Sequence, residues 1–501
     1  MENFSRLRQR LAEFFDIERA AALSSWDQQT FMPKGSAGAR SDQLATLSRY
    51  AHEILTSDET GRLIDKAYDD VKHLAEDSDE ACLVKVARRD YEKYKKIPPD
   101  LVEALARATS TAFQQWSRAK EESKFEIFRP HLEEVIQLTV KKAEALTYTE
   151  NIYDPLLDIY EPDMTAAQVK VLFDNLKDAV VPLIQQIGAH SDRVSNAVLG
   201  RPFDKDKQFD FSVVLLKDIG FDFGTGRQDL SIHPFTTSFS VNDVRLTTRV
   251  NESNLAMCLF GTLHEGGHGM YEQGVASDLD RTVLANGASL GIHESQSRTW
   301  ENLIGRSRPF WQHYYPKLRN VFPDQLGDCD SEVFYKAINR VSTSFIRVEA
   351  DEVTYNLHIL VRFELETALM SGDLKVTDLP EAWNAKMKEY LGITPPDDAH
   401  GMLQDIHWSE GMVGYFPTYT LGNIISCQLF DVLKKDIPDA QKQIGAGEFG
   451  PILSWYREKI HRHGRKYTAT ELVSRVTGGP VSADPFCAYI KDKFSDIYGL
   501  S

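Results

Sequence analysis

Apolar residues recur at helical spacing through most of the first 220 residues of this chain, which restricts that portion to a helix-rich fold. Leu101, Leu105, Ala108, Ala112 and Trp116 trace one stripe after Pro98-Pro99, a pair suited to opening a helix. A second stripe follows Pro130, from His131 to Thr149, with charged residues on the opposite face. Thr165 is placed to cap a third, running through TAAQVKVLFDNLKDAVVPLIQQI. Between about Gly220 and Val250 the pattern changes to β-branched residues, alternation and Gly/Asn/Asp turn signals. That stretch predicts two or three short strands with a turn near Asn242-Asp243. Helical patterning resumes after Asn254, broken at Pro309, Pro316, Pro323, Pro380, Pro395-Pro396 and Pro417. The expected fold is mostly α, a large multi-helix body with one small β-sheet near residues 228–250. No Gly-, Ser- or Pro-rich linker and no fixed-period repeat divides the chain. A single unit over 1–501 is expected, with a helical portion to about 220 and the sheet and further helices over about 221–501.

At 501 residues the chain can bury a sizeable core. Its 57 Lys and Arg against 74 Asp and Glu give a formal charge of −17, a field that repels phosphate backbones and argues against a nucleic-acid partner. The longest apolar run, around Leu255–Leu263, is far short of the roughly 20 residues needed to span a bilayer, so no membrane partner is expected. The N-terminal MENFSRLRQRLAEFF lacks the continuous apolar core of a secretory signal. The five cysteines are odd in number and scattered, without a disulfide framework. Together these point to the cytoplasm.

The sharpest chemical signal is His264-Glu265-Gly266-Gly267-His268. Residues four apart on a helix share a face, so both imidazoles can reach one metal ion, with Glu265 beside it to accept a proton from water. Taken alone, HExxH arises by chance in roughly a few per cent of sequences of this size and histidine content, so context decides. The preceding SNLAMCLFGTL is apolar and helix-compatible, which directs the histidines inward. Two adjacent glycines cost a helix about 1 kcal/mol each against Ala, which a site needing close approach of a substrate explains. Zinc suits such a site, taking imidazole and carboxylate ligands and leaving a position for water. A third histidine six residues on is missing, since Gly274 stands there. A carboxylate from a second helix is the alternative. Glu294, 26 residues beyond His268, is the first candidate, and Glu301, seven residues further and roughly on the same face, is the second.

Several short motifs then follow one another in order: His233-Pro234-Phe235, Asp243-Val-Arg245-Leu-Thr247, HEGGH, His293-Glu294-Ser295-Gln296, Ile346-Arg347-Val-Glu-Ala350-Asp351 and Gly401-Met-Leu-Gln404-Asp405-Ile-His407-Trp408. Spread over about 175 residues, this set resembles the carboxypeptidase Taq family of zinc metallocarboxypeptidases. The resemblance implies removal of C-terminal amino acids from peptides with a free C-terminus, with zinc or in some members cobalt as the metal. It implies a largely helical body cut by a deep active-site groove, as in neurolysin and angiotensin-converting enzyme, and a homodimer.

Carried onto this sequence, the resemblance makes His264, His268 and Glu294 the metal ligands and Glu265 the general base and acid. An exopeptidase must also hold the free α-carboxylate. Arg347 is the first choice, against an ion pair with Asp351 as its structural alternative. Arg245 is the second, with pairing to Asp243 as its alternative. His407, Tyr415 and Tyr419 resemble the stretch that converting-enzyme relatives use for substrate and oxyanion contacts. Tyr419 is the preferred oxyanion donor and Tyr415 a substrate contact, while His233 is expected to line the groove. An oligopeptidase or dipeptidase acting through the same metal site is the competing activity.

Overall fold

The computed structural model describes residues 1–500. Among the described residues are twenty-one α-helices and three short β-strands, the mostly helical architecture that the periodicity predicts. No helix among them is long and apolar enough to cross a membrane. The chain forms two compact units interleaved in sequence, so both extend across the position near residue 220 where its patterning changes. The first comprises Met1–Lys95, Asn196–Ile338 and Leu429–Gly479, the second Lys96–Ser195, Asn339–Gln428 and Pro480–Ser501.

In the second unit the local signals act largely as written. Thr165 caps the Ala166–Gly188 helix by accepting the Gln168 amide at 3.3 Å, while the Gln168 side chain accepts the Thr165 amide at 2.9 Å. The Pro99–Glu122 helix opens at Pro99 and buries Ala108 and Ala112 of the expected stripe. The helix expected at His131–Thr149 differs, for it runs from Phe125 to Leu146 with Pro130 inside. An interior proline costs ~3 kcal/mol or more. Burying Phe125 and Phe128 offsets that at ~1.5–3 kcal/mol each, and carries the apolar stripe upstream of the proline. At the other end Thr147 turns to φ 69°, which stops the helix short of Thr149.

In the first unit, β1 (Gly226–Leu230), β2 (Thr236–Ser240) and β3 (Asp243–Thr248) form one sheet in the order β1-β3-β2. β2 and β3 pair antiparallel through the turn at Val241-Asn242, with an irregularity between Ser238 and Ser240, whereas β1 runs parallel to β3. Behind the sheet lies the Leu255–Gly274 helix, capped by Asn254, whose side chain accepts the Met257 amide. Its glycines explain the packing. A Cβ on Gly269 would stand 2.6 Å from Leu246 of β3, and one on Gly267 would stand 2.6 Å from both Gln296 O and Ser297 Cα. At Gly267 it is therefore the backbone of the Leu290–Arg298 helix, rather than a substrate, that the absent side chain admits.

Gly267→Ala is expected to lower stability by about 1–3 kcal/mol, because backbone atoms cannot yield as a side-chain tip can. Gly261→Ala on the same helix, where nothing lies within 4 Å of an added Cβ, should be neutral or gain up to ~1 kcal/mol. Denaturant titration of the two variants tests the contrast.

Candidate metal centre

Helical spacing places His264 and His268 on one face, with ring centroids 4.8 Å apart. The Leu290–Arg298 helix, capped by Ser289 on the Ile292 amide, brings Glu294 against them at the level that Gly267 permits. Glu294 Oε2 lies 3.7 Å from His264 Nε2 and 3.5 Å from His268 Nε2, and one ligand atom from each of the three residues falls within 4.8 Å of the others. Metal–donor lengths of about 2.0–2.2 Å at tetrahedral angles separate donors by roughly 3.3–3.6 Å. The two imidazoles and the carboxylate therefore suit a shared divalent cation. Glu301, the second candidate from the sequence, stands behind this trio, its Oε2 2.9 Å from His264 Nδ1. It is carried on a π-helical turn, Thr299–Ile304, that continues the Glu294 helix.

Charge is balanced locally. Burial pushes the Glu294 carboxyl up, but Arg298 and both imidazoles more than offset this and hold it well below the usual range. Arg298 Nε donates to Glu294 Oε1 at 2.6 Å and its Nη1 to Glu301 Oε2 at 3.0 Å, so one guanidinium spans both carboxylates. Glu301 is likewise brought to about 2, where Arg298 and His264 outweigh burial. Burial, reinforced by the neighbouring imidazoles of His293 and His264, lowers His268 to about 4 and so favours the neutral form. For His264 burial acts in the same sense, yet Glu294 and Glu301 together raise it. The Glu265 carboxyl is raised by burial, with His264 and the Thr236 hydroxyl acting against the rise. That hydroxyl, on β2, donates to Glu265 Oε2 at 2.6 Å.

Arg245 does not present a free guanidinium. On β3 it makes a two-point pair with Asp243 at 3.0 and 3.1 Å and lies 4.3 Å over the Trp26 ring, which is the alternative that strand spacing offered. His233 is exposed on the loop between β1 and β2.

Arg347, His407, Tyr415 and Tyr419 gather within the second unit. Arg347 is buried, and its partner is Asp405 rather than Asp351: Nε and Nη2 reach Asp405 Oδ1 at 3.1 and 2.8 Å. Asp351 instead accepts the amides of Ser342, Val353 and Thr354. Arg347 Nη1 donates to the Tyr355 hydroxyl at 2.8 Å, and the guanidinium lies 4.9 Å over the Tyr419 ring. A second buried guanidinium, Arg362, takes the other oxygen of Asp405 through Nε at 2.7 Å and also through Nη2. His407 Nε2 is 3.3 Å from the Tyr419 hydroxyl, and its ring lies 5.3 Å from that of Tyr415. Burial lowers His407 to about 4, against the pull of Asp405.

The profile of the carboxypeptidase Taq (M32) metallopeptidases matches residues 6–494. The chain belongs to this family. It is 40% identical over 495 residues to carboxypeptidase 1 of Bacillus subtilis, covering 97% of this chain and 98% of that one. It is 43% identical over 490 residues to thermostable carboxypeptidase 1 of Thermus thermophilus, covering 95% of each. Its fold superposes on the crystal structure of the M32 carboxypeptidase from Deinococcus radiodurans with a TM-score of 0.97 at 38% identity, covering 100% of both chains. The M32 chain described here is thus a metallocarboxypeptidase.

Four residues of these clusters have no role assigned by the M32 motifs. Arg298 was legible as the i+4 partner of Glu294. Thr236 and Arg362 carry no local signal, because each meets its partner only through the tertiary fold. His293 lies inside the His293-Glu294-Ser295-Gln296 motif, which by itself assigns it no role. In this M32 chain Asp405 balances two buried guanidiniums, so Asp405→Asn should cost about 3–5 kcal/mol at neutral pH. Burial alone would raise the Asp405 carboxyl, but Arg347 and Arg362 hold it far below its usual value. Its contribution is accordingly complete above about pH 4 and is lost as the pH falls further. Denaturation at pH 7 and pH 3 should show a gap between parent and variant that is narrower by about 1 kcal/mol at the lower pH.

Proposed function

We propose that this metallocarboxypeptidase uses zinc held by His264 Nε2, His268 Nε2 and Glu294, with Glu265 as general base and acid. When bound, zinc supplies a Lewis acid for the peptide carbonyl and lowers the pKa of the attacking water. The observation that carries this reading is the convergence of the two HEGGH imidazoles on one buried carboxylate, with Glu265 next in sequence. Glu265 receives the proton of the attacking water and returns it to the leaving amine. The Thr236 hydroxyl fixes which way the Glu265 carboxylate faces.

Arg347 is proposed to grip the substrate α-carboxylate. Asp405 and Tyr355 occupy three of its five N–H groups, and Arg362 supplies a second positive charge, so the Arg347–Asp405–Arg362 cluster keeps a net charge of about +1. Tyr419 is proposed as oxyanion donor and Tyr415 and His233 as substrate contacts. His407 would orient the Tyr419 hydroxyl, which lies within reach of its Nε2. Peptide turnover in the cytoplasm by a homodimer completes the proposal.

Glu265→Gln should lower kcat by about 10²–10⁴-fold while zinc content by atomic emission stays at the parental level. Mass spectrometry of a peptide beside its C-terminally amidated twin should show single-residue C-terminal losses from the free form alone. Internal cuts in both would overturn the carboxylate-gripping role. Thr236→Val should reduce kcat about 10–100-fold, the worth of a hydrogen bond to a charged group, with Thr236→Ser restoring most of it.

A further inference from the structure

His268 and His264 are supported from behind in different ways. His264 Nδ1 meets a carboxylate directly, that of Glu301 at 2.9 Å. His268 Nδ1 meets another imidazole, His293 Nδ1, at 2.6 Å, and His293 Nε2 in turn lies 2.6 Å from Glu272 Oε1. We propose that His293 and Glu272 are positioning residues for the metal, forming a His268–His293–Glu272 relay that fixes the ring tautomer and orientation of His268. This inference rests on the metal reading above.

Hydrogen-bond direction follows from the ends. Glu272 as a carboxylate only accepts, so His293 Nε2 carries a hydrogen and donates to it. At 2.6 Å the two Nδ1 atoms share one hydrogen, and with the ring hydrogen of His293 on Nε2 the shared one belongs to His268 Nδ1, so His293 Nδ1 accepts it. That leaves the lone pair of His268 at Nε2, the atom turned toward Glu294 Oε2 at 3.5 Å. Each link therefore specifies the next, and the outcome is a ligating nitrogen on the correct side of the ring.

The far end of the relay is anchored by the sheet. Glu272 Oε2 accepts the Ser238 hydroxyl at 2.9 Å, and the Ser238 carbonyl accepts from Arg19 Nη1 at 2.7 Å. Arg19 Nη2 is fixed in turn by Asn286 Oδ1 at 2.7 Å. Thr236 and Ser238 are two residues apart on β2 and so share a face. One strand face thus orients Glu265 through Thr236 and the support of His268 through Ser238. His293 also precedes Glu294 in the chain, so the Leu290–Arg298 helix supplies one ligand and the immediate backing of another.

Three proteins test this: the parent, His293→Phe, which keeps the ring but neither nitrogen, and Glu272→Gln, which keeps an acceptor but not its charge. Zinc affinity is measured by competition with a chromophoric chelator, alongside thermal melting of the metal-free proteins and visible spectra of the cobalt-loaded ones. His293→Phe should bind zinc about 10–100-fold more weakly, and Glu272→Gln should lose less. Metal-free melting midpoints should stay near the parental value, and the cobalt bands should shift in His293→Phe. Parental affinity in both variants would overturn the relay, as would an affinity loss matched by an equal loss of metal-free stability. A parent that binds no zinc would overturn the metal reading itself. Should His293→Phe not fold, the isosteric Glu272→Gln decides the matter by its affinity alone.

Discussion

Two helix backbones meet where Gly267 has no side chain, and the metal site in the first unit follows from that contact. A Cβ there would stand 2.6 Å from Gln296 O and Ser297 Cα, so any other residue would push the Leu290–Arg298 helix away. That helix carries Glu294, and donor separations of 3.5 and 3.7 Å leave little room for displacement. It also carries His293 and, through the π-helical turn that follows it, Glu301, which back His268 and His264. Ligand geometry and ligand support thus depend on one interhelical distance.

Burying several charges in so small a volume requires compensation, and the two units solve it in opposite ways. Around Glu294 and Glu301 the carboxylates are the groups at risk, and Arg298 spans both. Around Asp405 the guanidiniums outnumber the acid, leaving one carboxylate between Arg347 and Arg362. The first arrangement suits a site that takes up a cation. The second is a positive centre whose guanidiniums are held in a fixed orientation.

Local rules account for what was legible. The Thr165–Gln168 capping box and the shared face of His264 and His268 involve residues within four positions of each other, and the strands flanking Asn242 pair residues no more than ten apart. Arg245 with Asp243 is the same kind of case, a pair two apart on one strand face. The structure departs from sequence expectation where a partner beyond the local pattern intervenes. Pro130 signalled a helix start until buried Phe125 and Phe128 extended the helix past it. Asp351 is the acid nearest Arg347 at helical spacing, but Asp405, 58 residues away, is the acid it reaches.

The sequence by itself determined the helical class, the position of the small sheet, the HEGGH face and, through the order of its motifs, membership of the carboxypeptidase Taq family. Only the tertiary structure separates the positions of Glu294 and Glu301, because both lie on the same helical run and differ in which nitrogen of His264 they approach. It alone joined Thr236 to Glu265 and Ser238 to Glu272, contacts across 29 and 34 residues. Periodicity records which face of an element is turned inward. It carries no record of which other element supplies the hydrogen-bond partner, since that depends on how helices and sheet pack once their apolar faces are buried.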